Sequence, residues 1–342
     1  MNKELLDFDS VLIEPQFSFV RSRKDVDVST DFLGLKLSLP VIPSNMDTVA
    51  SPALCRALAD YGAIGILHRF WSIEENVKAF VESISSDNGI CPIVSIGIGD
   101  KELERARALY NVGASRFLLD VAHAANIAVV EMYNKLITAF PNCYFIVGDF
   151  GTGNEIKEFI RQAAMRRNDL SYSAPYAVKV GIGIGSVCHT RNVTGVGNTA
   201  LSCLLDCASV VEEHDMKLIL DGGVREIGDI AKALIAGADL VMSGSMFAGT
   251  NEASGRYNDM DMGLKEYRGS ASLSSYEVQG KVATWRAPEG TSIWVEEKGP
   301  AVNVLNNISG GLRSACSYVG AFNLDELKAN GKFQYKKVQV NV

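Results

Sequence analysis

Eight short apolar runs, each followed by a longer stretch, set the tightest limit on what this chain can fold into. The runs are Pro40–Pro43, Ala63–Leu67, Ile93–Ile96, Arg116–Leu119, Tyr144–Val147, Ala177–Val180, Lys217–Leu220 and Leu240–Met242. Strands that are apolar without alternation are buried on both faces, which requires a parallel sheet with helices packed against it. Most of the intervening stretches carry the helical period. Across 227–235, Ile227, Ile230, Ala231, Leu234 and Ile235 share one face. Gly62, Gly113 and Gly237 stand where a helix hands over to the next strand, the place for a left-handed cap. Eight β-then-α units predict an α/β fold, a closed (β/α)8 TIM barrel, and 342 residues suit one such domain, 1–342, with insertions.

Two segments break the repeat. Residues 1–39 precede the first strand and are expected to cross the barrel floor. Residues 250–300 form an excursion after the eighth strand, punctuated by Gly255, Gly263, Gly269, Gly280, Gly290 and Gly299, with a hairpin-like run at Thr291–Val295. An excursion of that length reads as a flap or lid. Apolar residues make up 47% of the chain, enough for a large core, and the net charge of −7 without a Lys/Arg run argues against nucleic acid as the partner. The start, Met1-Asn2-Lys3-Glu4, does not read as a secretory leader, and no apolar run reaches a membrane-spanning length. The expectation is a cytoplasmic protein. Seven scattered cysteines, an odd number, do not form a disulfide framework.

Chemistry concentrates at Lys179-Val-Gly-Ile-Gly-Ile-Gly-Ser-Val-Cys188-His-Thr-Arg191. This run begins in the sixth strand and leaves it at the C-terminal end, where barrel active sites sit. Gly181, Gly183 and Gly185 let the backbone approach a ligand closely. Cys188, flanked by His189 and Arg191, is a candidate nucleophile, since cationic neighbours favour the thiolate. A buried structural cysteine in a glycine-rich turn is the plainer alternative. A dinucleotide fingerprint fails here: from Gly181 it needs glycine where Ser186 stands, and from Gly97 where Glu102 stands. The seventh and eighth strands end in Asp221-Gly222-Gly223 and Ser243-Gly244-Ser245. Loops after these two strands frequently form a phosphate site, with a helix N-terminus expected after each, and Asp221 can accept from ribose hydroxyls.

The sequence resembles the IMP dehydrogenase and GMP reductase family. The resemblance covers nearly the whole chain, from Asp7-Phe-Asp-Ser-Val-Leu-Ile13 through Ser44-Asn-Met-Asp-Thr-Val49 and Gly62–His68. It is strongest at Gly181–Arg191 and Leu220–Gly223, and runs on to Tyr267-Arg-Gly269 and Gly310–Gly320. No CBS module fits between Leu67 and Ile93. Dehydrogenases of the family carry an Arg-Tyr pair in the flap. None lies between Tyr267 and Glu289, where the chain reads Thr284-Trp-Arg-Ala-Pro-Glu-Gly290, similar to the reductase form.

The resemblance therefore implies NADPH-dependent conversion of GMP to IMP and ammonia, in purine nucleotide salvage. A short IMP dehydrogenase is the alternative, and a nucleotide sensor without chemistry a third reading. The resemblance assigns catalysis to Cys188, Thr190 and Glu289. Substrate contacts fall on Met46, Ser186, Asp221, Gly222, Gly223, Gly244, Ser245, Tyr267, Gly269, Ser270, Ala271 and Arg286. Cofactor contacts fall on Asp120, Ala122, His123 and Lys179. A potassium ion would sit on the backbone of Gly183, Gly185 and Cys188, and the family implies a homotetramer. The chain departs from the family at Ile184, His189, Asn198 and Asp149, the last standing where relatives have Asn.

Overall fold

A computed structural model of the protein describes residues 4–84, 89–167, 174–280 and 282–336. The eight expected strands are present: β1 (Val41–Pro43), β2 (Ile66–Leu67), β3 (Ile93–Ile96), β4 (Arg116–Asp120), β5 (Tyr144–Phe150), β6 (Ala177–Val180), β7 (Lys217–Asp221) and β8 (Leu240–Ser243). Every neighbouring pair is parallel. β8 closes onto β1, with Val241 opposite Val41, and the ladder continues through β7, β6, β5, β4 and β3 to β2. The seam falls between β1 and β2, beside a strand only two residues long. Helices α1 (Pro52–Tyr61), α2 (Ile73–Ser83), α3 (Asp100–Asn111), α4 (Ile127–Ala139), α5 (Gly153–Arg167), α6 (Ala200–Glu213), α7 (Ile227–Ile235) and α8 (Ala301–Tyr318) complete the units. The fold is the (β/α)8 barrel.

Local chemistry fixes the element ends. Ser51 accepts from Leu54 N at 2.9 Å and Pro52 opens α1, while Ser72 and Glu75 cap α2 reciprocally. Gly62, Gly113 and Gly237 take φ of +85°, +100° and +110°, as their positions predict.

The period of two along each strand sorts the side chains into two cores. Ile42, Ile66, Ile93, Leu118, Ile146, Ala177, Ile219 and Leu240 fill the barrel, while Val94, Phe117, Leu119, Val147, Val178 and Leu218 pack under the helices. The floor is plugged by the hairpin Thr30–Phe32/Leu35–Leu37, whose Phe32, Leu33 and Leu37 join the inner core. Leu33 N donates to Tyr176 Oη at 3.0 Å, and Arg116 Nε donates to the Leu33 carbonyl at 3.1 Å. Part of the 1–39 segment thus crosses the floor, as expected.

One expectation needs amendment. No helix follows Ser243-Gly244-Ser245 directly. The amides of Phe247 and Ala248 both bond the Gly244 carbonyl, at 3.2 and 2.8 Å, in a turn that Gly249 (φ +86°) leads outward, and the helix of the eighth unit waits until α8. The excursion holds the hairpin-like element that its sequence suggested. β9 (Leu264–Arg268) and β10 (Ser292–Glu296) form an antiparallel hairpin around the short helix Leu273–Val278. Buried Lys265 ties the hairpin to the start of the excursion by donating to the carbonyls of Thr250 and Ala253 at 2.8 and 2.7 Å.

Candidate active site

The glycine-rich loop leaves β6 at the barrel mouth. A Cβ on Gly181 (φ +137°) would lie 2.5 Å from the Asp221 carbonyl, so only glycine lets the loop pass β7 this closely. The turn closes with Cys188 N donating to Gly185 O at 3.0 Å. Half-buried Cys188 carries its Sγ 3.2 Å from Thr190 Oγ1. Arg191 is turned elsewhere: its aliphatic stem packs where side chains at Gly183 and Gly197 would otherwise lie, and Nη1 donates to the Asn198 carbonyl at 3.4 Å.

Backbone bonds lace the flap onto this loop. Thr291 N donates to Val187 O at 3.0 Å, His189 N to Glu289 O at 2.6 Å, and Cys188 and Gly290 form an antiparallel bridge. On its other side Glu289 N donates to Ala271 O at 2.9 Å, within the turn Gly269–Ser272. The structure therefore brings Cys188, Thr190, Glu289, Gly269, Ser270 and Ala271 into one patch. Cβ atoms on Gly269 and Gly290 would press on the Val187 carbonyl at 2.8 and 3.2 Å, so both glycines are needed for closure.

Beside Cys188, the ends of β6, β7, β8 and β1 converge. A Cβ on Gly244 would lie 2.5 Å from Tyr267 Oη and 3.0 Å from Met46 Sδ, and Ser186 Oγ donates to Tyr267 Oη at 3.4 Å. Gly222 (φ +92°) lies against the Gly185 backbone, with Gly223 (φ +73°) next to it. Ser245 Oγ donates to the Val224 carbonyl at 3.3 Å. Burial pushes the Tyr267 phenol up to about 12, which keeps it a donor at neutral pH. Arg286 stands further out on the flap, its guanidinium 5.1 Å from the Tyr276 ring centre and 4.9 Å from that of Trp285.

Beneath this cradle lies a buried charge cluster. The strand period places Lys179 above Ala177 inside the barrel, as it places Asp221 above Ile219 and Asp120 above Leu118. Gly148 makes room, since a Cβ there would lie 2.5 Å from Lys179 Cβ. The Lys179 side chain is 1% exposed, and its Nζ reaches Asp221 at 2.5 Å, Asp149 at 2.6 Å and Asp120 at 3.4 Å. Burial opposes the charge on Lys179, yet its carboxylate partners, Asp149 and Asp221 foremost, raise its pKa well above the ordinary value. Burial, opposed by Lys179 and reinforced by the charges of Asp221 and Asp120, raises Asp149 well above the ordinary carboxyl range. Ala122 and His123 follow on the exposed β4 loop, with His123 Nε2 3.6 Å from Glu155 Oε1.

Sequence reasoning singled out Lys179, Asp120 and Asp221 but not their union with Asp149. A lysine inside an otherwise apolar strand was the available signal. It also passed over Arg69, on the loop after β2. Its guanidinium lies 5.5 Å from the Phe70 ring centre, and its buried Nε meets no acceptor among the described residues. Nearby His68 is buried and pushed down to about 3 by desolvation, so it stays neutral and accepts from Phe70 N.

The family model for the IMP dehydrogenase / GMP reductase domain matches residues 5–339. A GMP reductase of an Enterobacter species is 36% identical over 98% of this chain and 96% of its own length. A GMP reductase of Ascaris suum is 33% identical over 98% and 94%, and one of Escherichia coli O157:H7 is 36% identical over 98% and 96%. A barrel with its glycine-rich Cys188 loop under a flap, and relatives matched over nearly their whole length, lead to one conclusion: the chain belongs to the IMP dehydrogenase / GMP reductase family.

Proposed function

We propose that the protein is a GMP reductase that converts GMP to IMP and ammonia with NADPH. The observation that carries this reading is the backbone clamp that sets Glu289 beside Cys188 and Thr190. The Cys188 thiolate attacks C2 of the purine. The 2-amino group, protonated from the Thr190–Glu289 side, departs as ammonia and leaves a thioimidate. NADPH, when bound, supplies the hydride that C2 receives; the C2–S bond then breaks, IMP leaves and the thiolate is restored. Thr190, in contact with Sγ, relays the proton that Cys188 gives up to the Glu289 carboxylate, which returns it to the departing amine. The short dehydrogenase reading lacks its Arg-Tyr pair in the flap.

The residues at the mouth fit the cofactor. Arg69 offers an Nε that is unpartnered among the described residues for an anionic group, and Ala122 and His123 are exposed after β4, while Lys179 acts through Asp120 because its ammonium is already occupied. Carbonyls of Gly183, Gly185 and Cys188 are hard oxygen donors that would hold potassium. The family resemblance supports a homotetramer, and a cytoplasmic location belongs to the same reading. Among the described residues, no helix is long and apolar enough to cross a membrane.

Absorbance of the reduced cofactor tests the reading. GMP plus NADPH should consume it, whereas IMP plus NAD should produce none; the opposite pattern would make the protein a dehydrogenase. The cradle of Ser186, Gly222, Gly223, Gly244 and Ser245 should take the 5′-phosphate, with Asp221 on the ribose. Guanosine should therefore bind at least ~100-fold more weakly than GMP, since several charge-assisted bonds at ~1.5–3 kcal/mol each are lost. Calorimetric titration of both ligands checks this, and equal affinities would remove the phosphate from the cradle.

A further inference from the structure

Three carboxylates converge on one buried ammonium, which leaves the cluster short of positive charge. Asp149 is central to it. The ladder between β5 and β6 shifts register between Val147 and Phe150, and there Asp149 reaches Lys179. Its neighbours come from every strand around it: Lys179 on β6, Asp221 on β7 and Asp120 on β4. Glu155 at the start of α5 bonds Gly151 N at 2.7 Å, and beyond Asp221 stand Tyr267 and Cys188. We propose that Asp149 is a positioning residue through which this cluster makes the hold on the nucleotide pH-dependent.

The argument is one of competition for Lys179. With a proton on Asp149, the ammonium is shared by two carboxylates, and Asp221 is held in place for the ribose. Burial and the two like charges favour that protonated form. When pH rises and Asp149 ionises, a third carboxylate draws Lys179 from Asp221 and adds negative charge below a site for a phosphate dianion. GMP affinity must then fall. The proposal rests on the functional reading only in naming GMP as the ligand.

The test is calorimetric GMP binding across pH for the wild-type protein and Asp149→Asn, with infrared titration of the carboxyl bands. The wild type should lose affinity by up to about tenfold per pH unit once Asp149 ionises. Asp149→Asn, neutral at every pH, should lose that limb while matching the wild type at lower pH. A purely structural role would instead weaken the variant equally at all pH values. In the infrared, the wild type should show a protonated carboxyl band that disappears over the same pH range; this arm needs no variant to fold. The same alkaline limb in both proteins, or no such band in the wild type, overturns the proposal. Absence of turnover with binding and band as described supports it and overturns only the functional reading. Absence of GMP binding overturns both.

Discussion

Replacing Cys188 by alanine should abolish turnover of GMP while leaving GMP binding within about tenfold of wild type. The variant removes one sulfur and nothing that shapes the loop. The turn is set by the backbone bond from Cys188 N to Gly185 O, and the flap is held by the bridge to Gly290 and the bond from Thr291 N to Val187 O. None of these involves the thiol. The cradle contacts come from other strand ends, so ground-state binding has little to lose. Chemistry has no substitute path. C2 of a purine is a poor electrophile and its amine a poor leaving group, and the covalent adduct splits one hard step into two. Loss of kcat with retained binding is the signature of a group that acts only along the reaction coordinate. Steady-state turnover in Cys188→Ala, measured with excess NADPH, would sink the covalent mechanism. Mass spectrometry of the wild type quenched during turnover should show an adduct that the variant lacks.

The barrel was legible because burial on both faces leaves a mark in every strand. Ala177 and Val178, or Leu118 and Leu119, are apolar in succession since one packs inside the barrel and the next under a helix. The Gly181–Cys188 loop was legible because close backbone approach demands glycine, as the Asp221 carbonyl beside Gly181 makes plain. The Lys179 cluster was not. It joins residues from β4, β5, β6 and β7, and a shift in register is needed to bring Asp149 in; no local pattern encodes that meeting. The clamp on Glu289 escaped for a similar reason, because it is made by main-chain atoms whose mark in the sequence is only Gly269 and Gly290, two among many glycines of the excursion. The turn after β8 misled the reading because Gly244 serves close packing against Tyr267 and Met46, where a strand-to-helix junction was expected.

That main-chain clamp makes Glu289 the more discriminating target. In Glu289→Gln the carbonyl still accepts from His189 N and the amide still donates to Ala271 O, so the flap should close as before. The side chain keeps its size and a hydrogen-bonding end, but it can no longer transfer a proton. Departure of the amine needs that transfer, because an amide anion is not a viable leaving group. Deamination of GMP should fall by ~10²–10⁴, the range for general acid–base groups. The half reaction between IMP and NADP⁺ forms the same thioimidate by hydride transfer from C2, with no ammonia taken up or released. It should suffer far less. Single-turnover kinetics of the two reactions, run side by side on the same variant, separates the roles. A large loss for GMP plus NADPH with a small loss for IMP plus NADP⁺ identifies Glu289 as the acid. Equal losses in both directions would mean that the carboxylate seats the flap or the cofactor, and the proton would then have to reach the amine through Thr190 or by another route.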